Sequence, residues 1–301
     1  MRWKRNTGFD QIEDRRGQGG GSVGGGMLGG GGGRGGFPFP IPGGKAGGGI
    51  GGIVISIVLF LLFSGVLGGG GSGLGDLTGL GGGAAQPGGT LNPQNDTDEQ
   101  LAFVVSDIQA YWAATFTASG REYPETKLVL FDGSTSSGCG PASSATGPFY
   151  CPADKKVYLD LGFFDQLKSQ FGAKGGDFAI AYVVAHEFGH HIQTVTGISE
   201  SVQQQAQADP NAANDLSVRQ ELQADCLAGA WAYSAMSDMQ PGDIEEAISA
   251  AEAVGDDRIQ QRTTGRIDPE AWTHGSAQQR VTWFTKGFKS GAPDDCDTFA
   301  K

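Results

Sequence analysis

The sequence predicts an α+β domain, mostly helical with a small early antiparallel sheet, preceded by a single transmembrane helix. Three observations predict it. An uncharged apolar run at residues 50–67 sits between two glycine-rich stretches. Three short apolar runs, divided by Gly, Pro, Ser and Asp, come next. Longer segments with apolar residues at helical spacing then fill the chain to its end.

Of the 301 residues, 53 are glycine, concentrated in 17–52 and 68–89. Such runs bury too little apolar surface to offset chain entropy, so they read as linkers. They show no Gly-X-Y period, which excludes collagen. Between them, "IGGIVISIVLFLLFSGVL" is 18 residues long and uncharged. At a helical rise it spans about 27 Å, close to the ~30 Å hydrocarbon thickness of a bilayer. A signal peptide would carry a shorter apolar region and an A-x-A-like cleavage site, which the following "GGGGSGLG" lacks.

Charge is divided unevenly around this segment. Residues 1–67 carry +4 and residues 68–301 carry −16, within a net charge of −12. All seven Lys/Arg of the first part precede the apolar run. The positive-inside rule then predicts a single-pass protein of the cell membrane with a cytoplasmic N-terminus and the rest of the chain outside the cytoplasm. The acidic second part argues against nucleic acid as a partner. The expected organisation is a cytoplasmic glycine-rich segment (1–49), a transmembrane helix (50–67), a glycine-rich linker (68–95) and a folded extracytoplasmic domain (96–301).

Within that domain, "DEQLAFVVSDIQAYWAATF" has helical spacing. "KLVLF" (127–131), "PFYC" (148–151) and "KVYLDL" (156–161) read as three strands. "FFDQLKSQFG" reads as a helix stopped by Gly172, and 177–197 as a long helix with Asp177 as N-cap and Gly197 as its stop. "SVRQELQADCLAGAWAYSAM" opens with a capping-box spacing, Ser217 to Gln220. "GDIEEAISAAEAVG" and "SAQQRVTWFTKGF" read as two further helices, the second opened by Ser276 and Gln279.

All four cysteines follow the apolar segment, which suggests two disulfides in an exported domain. Three pairings are possible. The short turn-rich loop between Cys139 and Cys151 favours that pair and leaves Cys226 with Cys296. Four reduced, buried thiols are the alternative. No C-x-x-C pair exists to make a cysteine zinc site.

The chemistry centres on "AHEFGHHIQ" at 185–193. Residues four apart lie above one another on a helix, so His186 and His190 can bind one ion. Neutral imidazole is a preferred zinc ligand. Glu187, about 100° around the helix, can reach a zinc-bound water without occupying a coordination site. H-E-x-x-H alone also arises by chance in long chains. A catalytic zinc needs a third ligand, and Glu221 supplies the best candidate. Asp225, four residues on, can fix the tautomer of a ligating histidine. Alone, these two acids would read as a solvated helix face. His191 points away from the pair and reads as a partly exposed or core-capping residue. His274 lies just before a helix and could stabilise an oxyanion, or could simply cap that helix.

At these residues the chain resembles the bacterial membrane-anchored neutral zinc metallopeptidase family. The resemblance rests on "HEFGHHIQ", "RQELQADCLAG", "HGSAQQRVTWFTKGF", and the N-terminal "MRW" and "EDRRG". It implies a zincin-type fold and zinc-dependent peptide hydrolysis. It also implies one Zn2+ per chain on His186, His190 and Glu221, with Glu187 as general base and Asp225 holding a ligand. Glu221-x-x-Ala224-Asp225 is similar to the third-ligand motif of membrane-associated gluzincin peptidases. In such enzymes the strand before the active-site helix pairs with an extended substrate, here by β-augmentation onto the free edge of "KVYLDL". The metzincin extension after the second histidine is absent.

The expected function is therefore a membrane-anchored zinc peptidase, an endopeptidase acting on a peptide or protein substrate. The rival from another class is a non-catalytic tethered binding module with a structural zinc, which would have no need of Glu187. A metal carrier would be expected to hold more His or Cys.

Overall fold

The computed structural model describes residues 1–4, 7–17 and 88–300. The apolar segment 50–67 and most of both glycine runs lie outside these residues, and so does the expected transmembrane helix. Among the described residues no helix is long and apolar enough to cross a membrane.

The strands are β1 (Ile12–Asp14), β2 (Gly89–Thr90), β3 (Leu128–Leu130), β4 (Ser134–Ser137), β5 (Gly140–Ser143), β6 (Phe149–Cys151) and β7 (Lys156–Leu159). Helix α1 (Asp96–Ala118) separates β2 from β3. After β7 the described chain is helical: α2 (Gly162–Ser169), α3 (Asp177–Val195), α4 (Ile198–Ala208), α5 (Ala213–Ser234), α6 (Asp243–Ala253), α7 (Asp256–Thr263) and α8 (Ala277–Ser290). The architecture is α+β, mostly helical with a small sheet.

The sheet is mixed, which corrects the expected antiparallel arrangement. Its order is β2-β1-β3-β7-β6. Strands β1, β3 and β7 run parallel, while β2 and β6 are the antiparallel edges. The physical reason is burial on both faces. Leu128, Leu130, Val157 and Leu159 face the helices, while Val129, Phe131, Phe149 and Tyr158 form a second cluster with Ala142 of β5 and Cys139. Strands covered on both sides read as unbroken apolar runs and so give no alternation from which to read orientation. Strand β7 is hydrogen-bonded on both sides, to β3 and to β6. It has no free edge, and the edge on the side of the long helices is β6. Strand β1 lies outside the expected 96–301 domain, so the folded unit takes in the N-terminal residues as well; Ile12 and Met1 are in its core.

Two expected helix starts are also corrected. Asp177 is the first residue of α3, while Gly176 occupies the N-cap and the Phe178 N–H is taken by the Glu246 carboxylate. Ser217 does not open a helix: α5 begins at Ala213, and the Ser217 hydroxyl donates to the Thr273 carbonyl. Ser276 and Gln279 do form the capping box at the start of α8.

Helices α3, α5 and α8 meet as the scaffold of the cavity described below. Helices α5 and α8 come so close that a Cβ on Gly287 would lie 1.9 Å from the Cys226 carbonyl oxygen. The Cys226–Cys296 disulfide ties the C-terminal tail to α5, and Cys139–Cys151 joins the hairpin to β6.

The N-terminal strand carries its own ion pairs. Glu13 accepts from Lys156 Nζ at 2.7 Å, Arg15 Nε at 2.8 Å and the Gly88 N–H at 2.9 Å. Burial opposes its ionisation, but these donors outweigh it and bring the carboxyl down to about 2. A lowered folded pKa gives stability that is present above the ordinary value of 4.5 and is lost as pH falls towards 2. Glu13→Gln is therefore expected to lower the urea midpoint at neutral pH. It should also flatten the further loss between pH 4.5 and 2, measured against the wild-type chain.

Candidate metal centre

Helix α3 is apolar for its first two turns because it passes through the core; Phe178, Tyr182 and Phe188 on it are all buried. This burial fixes its rotation, and with it the direction of His186, Glu187 and His190. Helix α5 crosses α3 and brings Glu221 and Asp225 to the same place. Ligand atoms of His186, His190 and Glu221 lie within 4.8 Å of one another. Glu221 Oε2 is 3.2 Å from His186 Nε2, and Oε1 is 3.3 Å from His190 Nε2. The two Nε2 atoms and the carboxylate thus converge on one point.

Both histidines are held from behind. His186 Nδ1 donates to Asp225 Oδ1 at 2.9 Å. His190 Nδ1 donates to Gln193 Oε1 at 2.9 Å, and Gln193 Nε2 donates to the Gln220 carbonyl at 2.7 Å. Engaging Nδ1 from behind leaves Nε2 as the atom that could bind a metal once its proton is lost. Asp225 is 0 % exposed and has three further donated bonds. They come from Tyr182 Oη at 2.6 Å, Arg280 Nε at 2.8 Å and Arg280 Nη2 at 3.0 Å.

The charges follow from this packing. Burial disfavours every ionised group here, so each shift reflects which neighbour wins. For Asp225, Arg280 and His186 overcome burial and hold the carboxyl below its usual range. For Glu221, His190 and His186 do the same, and the carboxyl lies well below its usual value. Burial prevails at Glu187, which is raised despite His190 and His186. At His186 the pull of Asp225 outweighs burial and lifts the imidazole to about 9.

A cavity opens in front of the three donors. His186, Glu187, His190, Glu221, His274 and Arg280 line it together with an apolar wall. Phe163, Leu167, Phe171, Val183, Val254 and Ile259 form that wall. Behind His190 and Glu221 a second cavity continues along α4, past Thr194, Ser199 and Gln220. Tyr150 of edge strand β6 borders both.

His274 enters this cavity from the loop before α8. Its Nδ1 donates to Asp256 Oδ1 at 3.2 Å, and its backbone N–H donates to Asp256 Oδ2 at 2.7 Å. Thr273 and Gly275 N–H groups bind the same oxygen, at 2.8 and 3.1 Å. The ring is 7 % exposed, and its Nε2 has no hydrogen-bond partner. His191, in contrast, is fully buried away from the cavity. Its Nε2 donates to the Pro124 carbonyl at 2.6 Å and its Nδ1 accepts from Tyr150 Oη at 3.2 Å. Burial lowers its pKa to about 4, so it is a neutral packing residue.

Tyr182, Gln193, Asp256 and Arg280 join the site although the sequence does not single them out for it. Tyr182 and Gln193 had a local signal: they precede His186 by four residues and follow His190 by three on one helix. Asp256 and Arg280 reach the site through tertiary packing, and only the "HGSAQQR" resemblance touched Arg280.

Two substitutions probe the support shell. Asp225→Ala is expected to weaken zinc binding by about 10–100-fold in a competition titration. Arg280→Met leaves Asp225 buried beside one fewer cation and should cost about 3–5 kcal/mol of stability, read by urea unfolding.

A family model described as "Putative neutral zinc metallopeptidase" matches residues 1–299. The chain is 43 % identical over 309 residues to YpfJ of Escherichia coli K12, covering 100 % of this chain and 99 % of that protein. It is 53 % identical over 190 residues to Rv2575 of Mycobacterium tuberculosis H37Rv, covering 59 % of this chain and 64 % of that one. No solved structure matches. With a match spanning nearly its whole length, the chain belongs to the family described as "Putative neutral zinc metallopeptidase".

Proposed function

We propose that the protein is a zinc-dependent endopeptidase held at a membrane by residues 50–67, with its metal site outside the cytoplasm. The observation that carries the reading is one cavity with three roles around it. Three converging donors, a buried glutamate beside them and a histidine with a free Nε2 all face the same space.

The donor set fits zinc. Two imidazoles and one carboxylate leave a coordination position open, the composition of a catalytic rather than a structural site. Bound there, zinc supplies a Lewis acid that lowers the pKa of water and polarises a carbonyl. His186, His190 and Glu221 would hold it, with Asp225 and Gln193 fixing the two rings. Glu187 would accept the proton of the attacking water and pass it to the departing amine. His274, as an imidazolium whose Nδ1–H is held by the Asp256 carboxylate, would offer Nε2–H to the oxygen on which negative charge develops.

The apolar wall gives the substrate a hydrophobic side-chain pocket on one side of the donors. The second cavity gives it a more polar path on the other. Room on both sides of the donors favours cleavage within a chain over trimming of its ends. An extended substrate would add to the sheet at edge strand β6, where Tyr150 already borders both cavities. The two disulfides favour an oxidising compartment.

Elemental analysis of the purified protein is expected to find about one zinc per wild-type chain and little in Glu221→Ala. In a peptide-library assay, Glu187→Gln should retain zinc and lose cleavage by about 10²–10⁴-fold. His274→Ala should retain zinc and lose about 10²–10³-fold in kcat. Zinc without cleavage of any peptide would favour a tethered binding module. A folded wild-type chain without zinc would remove both readings.

A further inference from the structure

Strand β1 is an interior strand of the sheet, not an ornament at its edge. It pairs antiparallel with β2 through Glu13 and Thr90 and through Asp14 and Gly89. On its other side it pairs parallel with β3, Ile12 to Leu128 and Asp14 to Leu130. Ile12 is 1 % exposed within the main core. Upstream, the backbone at Gly8 lies flat on α1: a Cβ there would sit 2.3 Å from the Ala102 carbonyl oxygen. Downstream, Arg16 bridges Asp14 and the fully buried Asp98, with Nη2 2.8 Å from Asp14 and Nη1 2.8 Å from Asp98. Removing residues 1–17 would strip β3 of its neighbour and leave Asp98 without this cation.

The chain leaves the sheet after Asp14 and re-enters it at Gly89, and these two residues are register partners. Residues 18–87 therefore begin and end at one place on the folded unit. A segment that crosses a bilayer once puts its two flanks on opposite sides. Strands hydrogen-bonded to one another cannot be divided by ~30 Å of hydrocarbon.

We infer that residues 1–17 and 88–300 lie on the same side of the membrane, so that the N-terminal segment is a working part of the peptidase unit and not a cytoplasmic tail. The inference rests on the membrane attachment proposed above. It replaces the single crossing expected from charge. The charge signal is weakened by the fold itself. Arg15 and Arg16 are paired with Glu13, Asp14 and Asp98, and the Arg2 guanidinium donates to the Ser237 carbonyl. Cations paired in this way belong to the folded unit and not to a free cytoplasmic flank.

The test uses the full-length chain in its own membrane. One variant carries a site for a sequence-specific protease within 18–49, and a second carries it within 68–87, so neither insertion touches a described strand. The protease is added to spheroplasts before and after lysis. The expected result is equal accessibility of the two sites, within about twofold. Cleavage of both before lysis supports the inference with the domain outside the cytoplasm. Protection of both until lysis also supports it, and sinks only the extracytoplasmic reading. Cleavage of one site with protection of the other overturns the inference. Zinc content of the same preparations reports separately on the metal site.

Discussion

The Asp225 carboxylate is the interaction on which the site depends. It joins three helices at one buried point: Tyr182 and His186 from α3, its own helix α5, and Arg280 from α8. A bare carboxylate in this environment would be strongly disfavoured, and an ion pair alone would barely recover the desolvation. Here Asp225 accepts four hydrogen bonds, one of them from a histidine of the His186/His190/Glu221 cluster. The same contacts that make the buried charge tolerable therefore orient His186. Loss of any one would loosen the fold and the site together.

The remaining machinery repeats this pattern at smaller scale. Gln193 holds His190 and is itself tied to α5 through Gln220. Asp256 collects three backbone N–H groups from the loop before α8 and so fixes the position of His274. His186, His190 and His274 are each oriented by a side chain, Asp225, Gln193 and Asp256, that does not line the cavity. This is the arrangement by which proteins set tautomer and direction without blocking a coordination position. The Cys226–Cys296 disulfide adds a covalent tie, because the Cys296 carbonyl accepts from Gln223 beside this network.

The sheet matters because it brings the distant N-terminus into the same unit. Strand β1 fills the gap between β2 and β3, and its charged flanks neutralise one another against Lys156 and Asp98. A segment that looked like a basic tail is thus a structural strand with its charges paired. The hairpin β4–β5 and its disulfide cover the outer face of the sheet, which leaves β6 as the edge beside the cavities.

The local parts of this protein are legible in the sequence. Helical spacing located α1, α3, α5 and α8, apolar runs located β3, β6 and β7, and the i, i+4 rule put His186 with His190 and Glu221 with Asp225 on common faces. The turn-rich loop pointed to Cys139–Cys151. These features depend on neighbours a few residues apart, so a linear reading reaches them. Tertiary structure decided the rest. Strand direction was hidden because β3, β6 and β7 are covered on both faces. The three-residue β1 carries too little pattern to declare itself, and its partners lie more than a hundred residues away in β3. Arg280, Asp256 and the free Nε2 of His274 acquire meaning only when α8 and its preceding loop pack over α3 and α5. A charge's role depends on what it is buried against, and that is a property of the folded chain.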